Sequence, residues 1–251
     1  MTNLISLVNK RIMVTGASSG IGKATAILCS QLGADMVLVA RNIEKLNETK
    51  SQLAYGKHVV IPYDLYDVEN IAQLFDECIK NGSRLGGLVH SAGVCPNIPL
   101  PTLNYKKMLD IMNLNYFSFM ELTKQYSKKK YSNGGSIISI SSISSFVGTR
   151  GASVYCGSKG ALDSSVKALA LELLQKNIRI NTVVPSYIDT DMYTTLEGIA
   201  GDEFKNNILK RQPLGLGKSE DVANAVTFLL SDASRFITGT SLKVDGGYTA
   251  Q

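Results

Sequence analysis

The chain has 251 residues, 44% hydrophobic and 19% charged, with 22 Gly, 6 Pro, 4 Cys and no Trp, a globular composition that excludes collagen-like, mucin-like and broadly disordered chains. Its net charge of +5 suits a phosphorylated ligand or an acidic partner and falls far short of a nucleic-acid-binding balance. No run approaches the roughly 20 apolar residues of a membrane span, and Met1 to Arg11 carries scattered Asn, Ser and Thr instead of an apolar signal core, so no membrane association and a cytoplasmic location are expected.

Short β-branched runs alternate with amphipathic stretches along the whole chain. Strands are predicted at Arg11 to Thr15, Met36 to Ala40, Val59 to Tyr63, Gly87 to His90, Ser136 to Ser141, Ile178 to Val184 and Ser241 to Val244. Helices are predicted at Gly20 to Gln31, Ile43 to Leu53, Val68 to Lys80, Leu103 to Lys130, Ser153 to Lys176 and Glu220 to Leu230, the last with Ser219 as N-cap. Most strands are apolar on consecutive residues, the mark of burial on both faces. The pattern predicts an α/β fold, a seven-stranded parallel sheet with helices on both faces. With no repeat or linker to divide it, residues 1–251 form one domain, in which 186–218 is an excursion expected to be a substrate lid. Cys29, Cys78, Cys95 and Cys156 include no C-x-x-C pair, and His58 and His90 are the two histidines. Neither a metal site nor a disulfide framework is expected.

The first strand runs into Thr15-Gly16-Ala17-Ser18-Ser19-Gly20-Ile21-Gly22 and then a helix. Glycines there let the backbone approach a pyrophosphate, and the helix N-terminus favours the anion. Gly16 to Gly20 also reads as G-x-S-x-G, a nucleophile elbow, but such a hydrolase needs a late histidine and both histidines lie in the first 90 residues. Gly217-Lys218-Ser219 resembles the end of a Walker A motif, yet Gln212 stands where its first glycine is required. The second strand ends Val39-Ala40-Arg41-Asn42, with no acid for the two ribose hydroxyls of NAD. Arg41 suits the 2′-phosphate of NADP instead, so NADP(H) is expected in preference to NAD(H).

Tyr155 and Lys159 stand four apart on a predicted helix and share a face. A free phenol titrates near 10, and bringing it to about 7 takes roughly 4 kcal/mol of preferential phenolate stabilisation, which a neighbouring ammonium and an oxidised nicotinamide can supply. Ser142 precedes the tyrosine by thirteen residues.

Together, the T-G-x-x-x-G-x-G turn, the Y-x-x-x-K pair and this serine resemble the short-chain dehydrogenase/reductase family over essentially the whole chain, closest to its 3-oxoacyl-[acyl-carrier-protein] reductase branch. The resemblance implies a Rossmann fold and an NADP-dependent oxidoreductase that interconverts a ketone and a secondary alcohol. It implies that Tyr155 exchanges a proton with the reacting oxygen, that Lys159 holds the nicotinamide ribose and lowers the phenol pKa, and that Ser142 binds that oxygen. Asn113 matches the asparagine that anchors a relay water, with Asn115 and Ser141 as neighbours open to confusion with the matched positions. For the cofactor it implies contacts from Gly16, Ser18, Ser19, Gly20, Ile21, Gly22, Arg41, Asn42, Asp64, Leu65, Ser91, Ala92, Gly93, Tyr155, Lys159, Pro185, Ile188 and Thr190. His90 and Ser91 replace the family's usual asparagines, and Ser186 its usual glycine. A homotetramer is implied, as is a 3-oxoacyl thioester substrate, with Lys128, Lys129, Lys130 and Lys176 either facing an acyl carrier protein or simply solvated. Sugar, polyol and steroid dehydrogenases remain open alternatives within the family, and a non-catalytic NADP-binding sensor outside its enzymes; the lid residues Tyr187, Met192, Tyr193, Leu196 and Phe204 do not discriminate.

Overall fold

The computed structural model describes residues 5–80 and 83–251, leaving aside the side chains of 196, 197 and 199–205; Leu196, Phe204 and the first four residues of the N-terminal reading lie outside that description. The order is β1 (Arg11–Thr15), α1 (Gly20–Gln31), β2 (Asp35–Ala40), α2 (Ile43–Lys50), β3 (Val59–Pro62), α3 (Ile71–Ile79) and β4 (Leu85–His90), then α4 (Tyr105–Met112), α5 (Ser118–Tyr126), β5 (Ser132–Ile140), α6 (Ser153–Leu173), β6 (Ile178–Pro185), α7 (Asp191–Arg211), α8 (Ser219–Leu230) and β7 (Ser241–Val244). The strands form one sheet in the order β3-β2-β1-β4-β5-β6-β7, parallel throughout. Successive crossovers run outward from β1 to β3 and then from β4 to β7. The order reverses between β1 and β4, which opens a crevice at their carboxyl ends.

Alternate residues along each strand feed opposite faces. Met13, Val37 and Val39 join Phe75, Phe119, Leu122, Leu162 and Val166 in one apolar layer under α3, α5 and α6. Ile12, Val14, Met36 and Leu38 join Ala26, Leu46, Val222, Val226 and Leu229 in the other, under α1, α2 and α8. A strand with both faces covered has no place for an alternating polar residue, hence the continuous apolar runs.

Beyond shifts of up to four residues at the ends of elements such as α2, α3 and β5, three elements depart from the sequence expectation. The single helix expected from Leu103 to Lys130 is α4 and α5 joined by a wide i→i+5 turn at Asn113–Phe117, a local irregularity often found at functional sites. The excursion after β6 contains a 21-residue helix, α7. Its sequence hides it: Met192 and Leu209 are exposed while Tyr193 and Ile208 are buried, so no apolar stripe marks one face. At α8 the N-cap is Lys218, whose backbone N–H donates to Asp221 at 2.8 Å, and Ser219 is the first helical residue.

Buried Asp163 ties α6 to β6, to β7 and to the residue that follows β5. Its carboxylate accepts hydrogen bonds from Ser141 at 2.9 Å, Ser241 at 3.1 Å and Thr182. Asp163→Ala leaves three hydroxyls without this acceptor and is expected to cost about 3 kcal/mol of unfolding free energy, read by urea denaturation. A loss under about 1 kcal/mol would mean that this anchor is dispensable.

Candidate active site

A cleft of about 760 Å³ lies over the carboxyl ends of the strands. Its first wall is the turn between β1 and α1. Gly16 has φ +69°, and a Cβ there would stand 2.8 Å from the backbone nitrogen of Ala92. A Cβ on Gly22 would stand 2.2 Å from the Gly16 carbonyl oxygen. Only glycine permits this close return of helix onto turn. Ser19, the N-cap of α1, makes no side-chain capping bond, and the first turn contains no acid. Such a turn has the shape and free N–H groups to hold an anion such as a dinucleotide pyrophosphate. Ser18, Ser19, Gly20 and Ile21 line the cleft with Gly16, whereas Gly22 is buried behind them.

The structure also brings together the residues that the sequence reading assigned to the adenosine end. Arg41, Asn42, Asp64 and Leu65 all line the cleft. The Asn42 side chain already accepts the Lys45 backbone N–H at 2.7 Å and caps α2. Lys45, which the sequence reading passed over, joins Arg41 as a second cation lining this cleft; its position one turn after a capping asparagine was the available signal. Ser91, Ala92, Gly93, Pro185, Ile188 and Thr190 line the central portion. Thr190 caps α7, and its methyl carbon would be 3.3 Å from a Cβ on Gly20, so the start of α7 closes against the glycine turn. His90, beneath them, is fully buried with its Nδ1 3.1 Å from the Thr15 hydroxyl. Burial, with the Lys159 charge adding to it, pushes the imidazole pKa down to about 3, so it is neutral.

Tyr155, Lys159 and Ser142 meet at the cleft floor, each less than 10% exposed. Lys159 Nζ donates to the carbonyl oxygen of Ile140 at 2.7 Å and stands 5.7 Å from the Tyr155 ring centroid. Burial pushes the ammonium down to about 8, opposed by Cys95 and Asp163. Burial also raises the Tyr155 phenol, and a hydrogen bond with Ser142 pulls the other way. In the protein alone desolvation dominates both groups, so the lowered phenol pKa expected from the Lys159 pairing needs further positive charge in the cleft. Ser141 points elsewhere, into the Asp163 network.

The two asparagines of the wide turn separate clearly. Asn113 is half-buried and does not line the cleft. Asn115 is fully buried; its Oδ1 accepts from the Val94 N–H at 2.9 Å, and its Nδ2 donates to the Val94 carbonyl at 3.0 Å and to Ser158 Oγ at 3.1 Å. Ser158 in turn donates to the Tyr155 carbonyl at 2.7 Å. The clasp that links the β4 loop to α6 thus belongs to Asn115, whereas Asn113, which the resemblance matched to the asparagine of a relay water, takes no part in it.

Ser186 lines the cleft while its hydroxyl donates to Gln212 Oε1 at 2.7 Å. Gln212, 1% exposed, donates in turn to the carbonyls of Tyr187 and Gly215. This glutamine, unrecognised in the sequence, joins the two ends of the α7 excursion.

A buried lysine beside a phenol and a serine, at the far end of a pyrophosphate cradle on a parallel sheet, defines a dinucleotide-dependent oxidoreductase. The family model described as enoyl-(acyl carrier protein) reductase matches residues 16–249. The 3-oxoacyl-[acyl-carrier-protein] reductase FabG of Rickettsia conorii is 36% identical, over 97% of this chain and 98% of its own. Two solved structures are similar: a short-chain type dehydrogenase/reductase from Mycobacterium ulcerans, with TM-score 0.89 and 31% identity over 98% of this chain and 92% of that one, and a 7α-hydroxysteroid dehydrogenase complexed with NADH and 7-oxo glycochenodeoxycholic acid, with TM-score 0.92 and 29% identity over 98% and 97%. The chain belongs to the short-chain dehydrogenase/reductase family.

The Lys159 shift has a stability consequence. Its folded pKa, about 8, lies below the value near 10.5 of a free lysine. The native state therefore bears the cost of a buried ammonium below pH 8, and that cost disappears as pH rises from 8 to about 10. Lys159→Met removes it. The unfolding free energy of the variant relative to the unmodified protein, both without cofactor, is expected to be about 3 kcal/mol more favourable at pH 7 than at pH 10. Urea melts across that range check it, and a difference independent of pH would overturn the burial argument.

Proposed function

We propose that this protein is an NADP(H)-dependent reductase of 3-oxoacyl thioesters. The observation that carries the reading is the convergence of Tyr155, Ser142 and buried Lys159 at one end of a cleft whose other end is the glycine cradle. Bound NADPH supplies a hydride and, once oxidised, positive charge beside the phenol. Ser142 holds the substrate carbonyl oxygen, and Tyr155 delivers its hydroxyl proton to that oxygen as the alcohol forms. Lys159, fixed by the Ile140 carbonyl, favours the resulting phenolate and holds the nicotinamide ribose. We assign to Asn115 the asparagine part of the proton relay: its side chain fixes the wide turn against Val94, which leaves the turn's backbone to position a water. All four groups are present, which argues against a non-catalytic dinucleotide sensor.

For the cofactor, Arg41 and Lys45 supply two cations next to a β2 end that lacks an acid, the charge pattern that favours a 2′-phosphate. The remaining assigned contacts follow the cradle: Gly16, Ser18, Ser19, Gly20 and Ile21 around the pyrophosphate, Asp64 and Leu65 at the adenine, Ser91, Ala92 and Gly93 at the ribose, and Pro185, Ile188 and Thr190 at the nicotinamide. The thioester substrate is favoured by the Rickettsia relative. An acyl carrier protein would be met by Lys128, Lys129 and Lys176. Lys176 Nζ donates to Ser127 Oγ at 3.2 Å, beside Lys128, whereas Lys130 is already paired with Asp76. Exposed Leu171 and Leu174 near the end of α6 fit a subunit interface, and a homotetramer at four times the 27.1 kDa chain mass is the expected result of light scattering.

The test is initial-rate oxidation of NADPH and NADH with acetoacetyl-CoA. Expected are a kcat/KM at least tenfold higher with NADPH, a preference that Arg41→Ala with Lys45→Ala removes, and a kcat at least a hundredfold lower in Tyr155→Phe, which keeps NADPH binding. Equal use of both cofactors would refute the charge argument. An unchanged kcat in Tyr155→Phe would refute the mechanism.

A further inference from the structure

Cations reach the cleft from three places. Arg41 and Lys45 come from the end of β2 and the start of α2, and Lys159 from α6. The fourth, Arg150, comes from the loop between Ser142 and Tyr155, the two groups assigned to the reacting oxygen. The reading of function above accounts for the first three and leaves Arg150 without a role.

Three observations give it one. Arg150 is exposed and lines the cleft, and its guanidinium makes no hydrogen bond or ion pair among the described residues. Its backbone is nonetheless fixed. Gly151 has φ +73°, and a Cβ on it would fall 1.7 Å from Asn97 Oδ1. The Gly151 carbonyl accepts the Ile98 N–H at 2.7 Å, and the Ala152 N–H donates to Thr149 at 3.2 Å. The arginine is thus anchored on a loop clamped to the neighbouring 96–98 segment. Finally, residues 94–98 and 142–152 contain no Asp or Glu, and Asn97, Ser144 and Thr149, which these segments bring to the cleft lining, are neutral and polar; the two carboxylates of the lining, Asp64 and Asp191, come from other segments. An unpaired guanidinium on a fixed loop whose own segment carries no carboxylate is suited to an anion with planar or tetrahedral oxygens.

We propose that Arg150 is a specificity-determining residue whose guanidinium pairs with an anionic group, phosphate or carboxylate, carried by the substrate. This rests on the reading that the cleft reduces a ketone at Tyr155. Two sources share the chemistry: the phosphates of a pantetheine-type carrier and a carboxylate on a keto acid.

The experiment compares the unmodified protein with Arg150→Ala and Arg150→Lys on acetoacetyl-CoA, on acetoacetyl-N-acetylcysteamine, which has the same reacting group without phosphate, on acetoacetate, and on a neutral diketone. In Arg150→Ala the ratio of kcat/KM for an anionic substrate to that for its neutral counterpart is expected to fall at least tenfold, through KM, and Arg150→Lys to recover part of it. A fall confined to the CoA ester identifies phosphate, and one confined to acetoacetate identifies carboxylate. Added salt should raise the anionic KM in the unmodified protein more than in Arg150→Ala. An unchanged ratio in Arg150→Ala overturns the proposal. If the unmodified protein turns over none of the four, the reading of function fails, and calorimetry with the two anionic compounds decides the Arg150 question separately. Weaker binding to Arg150→Ala then supports the assignment, and equal binding overturns it.

Discussion

A primary ammonium that is 4% exposed is the constraint around which this structure is arranged. Desolvation of that size is tolerated only where oriented dipoles replace water, and the carbonyl of Ile140 at the end of β5 provides one. The bond fixes α6 relative to the carboxyl end of β5, in the interior of the sheet, and Tyr155, one turn earlier on the same helix, is fixed with it. Asp163, one turn further on, attaches the helix through hydroxyls to β6, to β7 and to Ser141 just past the end of β5. The α6 register is therefore held from both sides of the lysine.

The opposite side of α6 is held by an amide. Asn115 spans from Val94 to Ser158, and the wide turn brings that amide inward from a helix that would otherwise continue past it. A regular helix from α4 through α5 would change the rotational setting of every residue after Asn113. The irregularity and the buried amide therefore depend on each other. Their joint effect is to lock the β4 loop, which brings Ser91, Ala92 and Gly93 to the cleft wall, to the helix that carries the phenol.

The sequence made most of the sheet legible because a strand buried on both faces must be apolar without interruption, and the glycine turn legible because three steric demands fall within one short segment. Tyr155 and Lys159 were readable for a similar reason: helical spacing alone brings them together. What escaped depends on contacts distant in sequence. Asn113 and Asn115 differ only by which one an unpredictable wide turn buries. Gln212 is significant only through Ser186 and Tyr187 on the far side of α7. Lys45 faces the cleft because Asn42 starts a helix just there, and α7 itself lacks the apolar stripe that periodicity detects.

The replacement of the family's usual glycine by Ser186 illustrates how such distant contacts reach function. A hydroxyl at that position has found a buried acceptor in Gln212, and the same amide holds the Tyr187 carbonyl. The parallel bridge between Ile188 and Gly217 and the bond from Leu214 N–H to the Gly246 carbonyl at 3.4 Å close the base of the excursion further. Both ends of α7 are thus secured to the end of the sheet, and Tyr187 packs against Tyr193 and Tyr248 with ring centroids 6.4 and 5.8 Å apart. The helix rises from a rigid base, so shape on this side of the cleft is set by aromatic packing, while charge on the other side is set by a clamped loop. On the proposed mechanism the residues between them serve the reacting oxygen and the dinucleotide, which leaves substrate choice to those two segments.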